Sequence, residues 1–172
     1  MWISLAQRLE QGARHLLPLV STLIFVLVSV IAWPLPDIGP VAPSLGLVGV
    51  YYWSIHRPDL FRTLPVFLLG LLNDFINFYP YVGLSAMIFI AVHELLIRQR
   101  RFFVGHAFYM LWSGFALVML VVLVSIWLIM SLLNGQWMAF MPVLLQGLLT
   151  TVIFPLLAWL LIRLQRLVLA QG

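Results

Sequence analysis

Asp74 is the only charged-type residue deep inside an apolar stretch of this 172-residue chain. A carboxylate at membrane depth costs a few kcal/mol unless it is protonated or hydrogen-bonded. Asn73 and Asn77 are its polar neighbours, Asn77 at i+3 on a helix. Such a group could take a proton, a ligand or a partner helix, or it could be a hydrogen-bonded node that fixes a corner between two helices. His93-Glu94 opens like the zinc-protease pattern HExxH, but Ile97 stands where the second histidine is needed. Glu94 and Arg98 are instead spaced as an i,i+4 ion pair. His15, His56 and His106 fall at the ends of apolar stretches and do not converge on a metal. No Ser–His–Asp set or phosphate-binding loop can be assembled. Gly46 and Gly49 lack the third glycine of a dinucleotide fingerprint. With no cysteine, thiolate catalysis, Fe–S chemistry and cysteine-based zinc sites are excluded. The expectation is a protein that is not an enzyme and holds no metal or organic cofactor.

The elements that must position these residues are apolar helices. Hydrophobic residues make up 64% of the chain and charged residues 8%, which excludes an ordinary soluble domain. Six spans are expected, at about 16–33, 42–56, 60–78, 82–97, 107–133 and 138–162. All nine arginines flank one set of alternate connections: Arg8 and Arg14, Arg57 and Arg62, Arg98, Arg100 and Arg101, then Arg163 and Arg166. There is no lysine, and the other three connections carry no arginine. Positive loops stay cytoplasmic, so both termini are expected in the cytoplasm. Basic residues scattered at span ends orient a membrane protein and touch anionic lipid; they do not point to nucleic acid.

Residues 1–15 read as an amphipathic helix lying at the interface, with Trp2, Leu5, Leu9 and Ala13 on one face. Span 1 could be mistaken for a signal peptide, but its apolar stretch is long and five more follow. The connection after it holds Pro36, Pro40 and Pro43 and should be stiff and extended. Span 2 is short, hence tilted or shielded. Ala42, Gly46 and Gly49 line one face of it, with Trp53 below, a spacing that lets another helix approach closely. Arg57-Pro58-Asp59 makes a tight turn. Gly70, Asn73 and Asp74 lie on span 3, and Pro80 and Gly83 break the chain before span 4. Spans 5 and 6 carry no charge in their interiors and read as lipid-facing or packing helices.

From span 2 to span 4 the chain resembles the MreD family of rod shape-determining membrane proteins. The resemblance rests on Tyr52-Trp53, then Arg57-Pro58-Asp59, then Phe67-Leu68-Leu69-Gly70-Leu71-Leu72-Asn73-Asp74, then Gly83-Leu84-Ser85-Ala86. These follow a family pattern of R-P, F-x-x-G-L-x-x-D and G-x-x-A. Phe78-Tyr79-Pro80-Tyr81 departs from the smaller polar residues found after the aspartate. The resemblance implies a six-transmembrane-helix bundle, similar in architecture to transporter S-components. It implies a non-enzymatic inner-membrane scaffold that binds MreC. MreB, RodA and a class B penicillin-binding transpeptidase are its further implied partners. A substrate-binding S-component-like subunit of a small-molecule transporter is the alternative. S-components dock through an Ala-x-x-x-Ala surface on the first span, which span 1 lacks.

Overall fold

In a computed structural model, the structure describes residues 16–31, 33–35, 39–77, 81–102 and 108–169. The chain is predominantly helical. In order come α1 (Leu16–Val28), β1 (Trp33–Leu35), β2 (Gly39–Val41), α2 (Leu45–His56), α3 (Thr63–Ile76), α4 (Leu84–Gln99), a 3-10 turn at Arg100–Phe102, α5 (Phe108–Asn134) and α6 (Met141–Leu169). The amphipathic helix expected over 1–15 lies outside the described residues.

Proline and glycine set most of the boundaries. The first apolar stretch leaves the helix at Val28, short of the expected end at 33. The proline-rich connection then folds back on itself, with β1 antiparallel to β2 and Trp33 opposite Val41. Helix α2 begins only after Pro43, so Ala42 lies outside it and cannot share a helical face with Gly46 and Gly49. It ends at Arg57 (φ −143°, ψ 63°), because the residue before Pro58 disfavours the helical region. Helix α3 tolerates Pro65 in its first turn, where amides have no intrahelical acceptor. Gly83, at φ +102°, starts α4 in a left-handed conformation open to glycine.

Two helices, Phe108–Asn134 and Met141–Leu167, are long and apolar enough to cross a membrane. They are joined at Gly135, which takes φ +64°. Helix α6 carries Pro142 in its first turn, where amides have no intrahelical acceptor, and Pro155 in its interior, where the missing amide leaves the Thr151 carbonyl unserved. Tryptophans on α5 meet that carbonyl and the Met138 carbonyl ahead of the helix. Trp112 Nε1 donates to Thr151 O at 3.0 Å, and Trp127 Nε1 donates to Met138 O at 2.9 Å.

Helix α2 is the centre of the molecule. Every residue from Leu45 to Ile55 is buried, so the helix is enclosed on all sides rather than shielded on one. Polar ties run outward from it to four other helices, the α4 tie being Ser54 to His93. Trp53 Nε1 donates to Ser21 Oγ on α1 at 2.8 Å. Tyr51 Oη donates to Leu111 O on α5 at 3.0 Å. Tyr52 Oη donates to Gln165 Oε1 on α6 at 2.9 Å. Tyr51 also meets Phe115 and Phe154 edge-on, and those two rings stack at 4.3 Å.

Candidate functional site

The α3–α4 corner gathers most of the polar residues expected to matter. Asp74 is fully buried, and its partners are backbone amides, not Asn73 and Asn77. Gly83 N–H donates to Oδ2 at 2.7 Å, and Ser85 N–H donates to both oxygens at 3.2 Å. The carboxylate therefore caps α4 from the neighbouring helix, where it also meets the positive end of the helix dipole. Asn73 and Asn77 form a separate chain beside it. Asn77 Nδ2 donates to Asn73 O at 2.8 Å and Asn73 Oδ1 at 3.2 Å, while Asn73 Nδ2 donates to Ser85 Oγ at 3.1 Å. One turn back, Gly70 faces Ala86 so closely that an added Cβ would lie 2.7 Å from Ala86 N. Glycine is required there because backbone crosses backbone.

The small-residue face of α2 is occupied within the chain. A Cβ on Gly46 would meet Val26 at 2.8 Å and Phe89 at 3.1 Å, and one on Gly49 would meet Thr22 at 2.7 Å. Close approach is what the spacing predicts, but the approaching groups come from α1 and α4. This face is not available to a partner. Ala42 is half-buried in the segment between β2 and α2.

At the opposite end of α2, Arg57 and Asp59 face each other across the turn at 3.7 Å, with Pro58 between them. This is the ion pair among the described residues; Glu94 does not pair with Arg98 but accepts from Thr63 Oγ1 at 3.1 Å. Tyr52 stacks on His56 at 4.1 Å between ring centres. His93 is fully buried, with Nδ1 2.7 Å from Ser54 Oγ. Ser54 Oγ donates to Val50 O at 2.6 Å. His93 Nε2 has no hydrogen-bond partner among the described residues. The Ser54–His93 pair is invisible at sequence level because the two residues lie on different helices 39 positions apart. Among the described residues no group of three His, Asp or Glu could hold a metal.

A cavity of about 370 Å³ opens beside the α3–α4 corner. Its walls are apolar side chains of α2, α4, α5 and α6, and its polar members are Ser44, Asn73, Ser85, Asn134 and Gln146. Thr150 on α6 accepts from Ser44 N–H at 3.0 Å and closes the α2–α6 side. Helices α5 and α6 thus contribute polar groups, where their sequences suggested lipid-facing or packing surface alone. Asn134 and Gln146 sit at or near helix ends, and only the fold aims them inward. No family model matches the chain, and neither a curated protein nor a solved structure does.

Proposed function

We propose that this protein is a non-enzymatic integral membrane scaffold of the bacterial rod-shape machinery. It crosses the inner membrane six times, with both termini cytoplasmic, and binds MreC. MreB, RodA and a class B penicillin-binding transpeptidase are less direct partners. The observation that carries the reading is the ordered motif series from Tyr52 to Ala86. Its supporting physical feature is that the series serves construction: Tyr52 and Trp53 tie α2 to α6 and α1, Gly70 sits at a helix crossing, and Asp74 caps α4. With the α2 face filled, the α3–α4 hairpin is the remaining candidate surface for a partner. Asn73, Leu84, Ser85 and Ile88 present it to the open cavity.

One observation favours a second reading. A cavity of about 370 Å³ with five polar residues falls in the size range of small-molecule sites, as a transporter substrate-binding subunit would need. Depletion in a rod-shaped host, combined with affinity purification in mild detergent, separates the two. The scaffold reading expects round or swollen cells and recovery of the MreC homologue. Normal rods together with recovery of transporter ATPase subunits would reject it and favour the transporter subunit.

A further inference from the structure

We infer that the groove between α4 and α5 is a binding site for an anionic phospholipid, with an acyl chain along the groove and the phosphate on the arginines at its end. The two helices barely touch, although α4 packs on α3 and α2, and α5 packs on α6. Between them runs an apolar groove of about 460 Å³, lined on α4 from Leu84 to Gln99 and on α5 from Gly114 to Ile129. Met87 is 71% exposed and Leu117 66% exposed along its walls. At 1.5 Å per residue the α4 wall is roughly 20 Å long, more than one leaflet's share of a core about 30 Å thick.

The charge at one end selects the lipid class. Gln99 ends the groove and is followed at once by Arg100 and Arg101, with Arg98 just before it. None of the three arginines has a carboxylate within ion-pair distance among the described residues. Glu94, the nearest acid in sequence, is hydrogen-bonded to Thr63. Arg98 and Arg101 are exposed, whereas Arg100 keeps its Nε buried. A phosphate at the groove's end supplies the countercharge that the exposed arginines lack, as basic pockets between transmembrane helices do for anionic headgroups.

The inference rests on the membrane reading but not on the identity of any protein partner. Native mass spectrometry of the full chain in detergent, with matched phosphatidylglycerol and phosphatidylcholine, tests it. The wild-type chain should retain phosphatidylglycerol about tenfold better. Substituting Arg98, Arg100 and Arg101 together by Gln should bring that ratio near unity. Ala91→Phe, at an exposed position on the groove wall, should remove retention of both lipids while the melting temperature holds. A photo-crosslinker at Leu117 should add the mass of a phospholipid in native membranes, a readout that needs no correctly folded Ala91 variant. Equal retention of the two lipids by the wild type would overturn the site, as would a crosslink to polypeptide alone. Recovery of the chain from cells without detergent would instead end the membrane reading itself.

Discussion

Asp74 shows how one buried carboxylate can be structural and still be placed where function is expected. Both of its oxygens accept backbone amides at the start of α4, so the group welds α3 to α4. Asp74→Asn keeps an acceptor toward Gly83 and loses the charge at the helix N-terminus, a cost of about 1 kcal/mol. Asp74→Leu leaves the amides of Gly83 and Ser85 without their acceptor and should cost roughly 2–4 kcal/mol. Thermal unfolding in detergent should therefore rank wild type above Asn and Asn well above Leu. Equal melting temperatures for the two variants would show that the cap is dispensable. If Asn keeps its stability but loses partner recovery, the carboxylate itself is being read by something outside the chain. The depth of Asp74 and the need to satisfy it were legible in the sequence. Its partners were not, because they are backbone groups nine and eleven residues away, brought back by a turn whose path no local pattern dictates. Asn73 and Asn77 were near in sequence and so looked like the answer; on the helix they bond each other and Ser85 instead.

At the scale of helices, glycine spacing announces close approach without naming what approaches. Gly46, Gly49 and Gly70 therefore differ in what a side chain would meet. Gly70 faces the backbone of Ala86, whereas Gly46 and Gly49 face side chains of Val26, Phe89 and Thr22. Side chains can rotate away and a backbone cannot, so Gly70→Ala should destabilise more than Gly46→Ala, by roughly 1–3 kcal/mol for the overpacked crossing. A melting-temperature series in one detergent checks the order; Gly46→Ala as the worse variant would put the tightest crossing on α2. The pairing of α5 with α6 follows a different rule. Pro155 leaves the Thr151 carbonyl without its amide, and the Trp112 indole N–H meets it; Trp127 donates to Met138 O in the turn before α6. The orphaned carbonyl could be found by counting from Pro155. Which tryptophan serves it depends on the register between the helices, and periodicity does not contain it. Trp112→Phe keeps the ring and removes the donor. It should cost about 1 kcal/mol, or somewhat more because little water is present to take its place. A Phe variant as stable as the wild type would show that the Thr151 carbonyl is satisfied by other means.

For the molecule as a whole, the proposed six-span topology predicts basic connections on one side of the membrane and arginine-free ones on the other. Helix α2 ends at the Arg57 turn, α4 ends at Arg98–Arg101 and α6 carries Arg163 and Arg166 near its end. The starts of those helices, the Asp74 corner, the cavity and Gly135 fall at the opposite end of the chain's up-and-down course. Helices of 12 and 14 residues, α2 and α3 are roughly 18 and 21 Å long and fall short of a core about 30 Å thick. Burial on all sides shields α2, since an enclosed helix meets protein instead of lipid along its flanks. Single cysteines test the arrangement directly, because the chain has none of its own. With the outer membrane permeabilised and the inner membrane sealed, a cysteine at Gly135 should react with an impermeant thiol reagent. One at Gln99 should react only after the inner membrane is opened. Gly135 has open space around its Cα and Gln99 is exposed, so burial does not decide either result. Labelling at position 99 in sealed spheroplasts would invert the molecule. It would move the arginine end of the α4–α5 groove to the outer leaflet and carry the Asp74 corner and its cavity to the cytoplasmic side, away from the periplasmic body of any MreC-like partner.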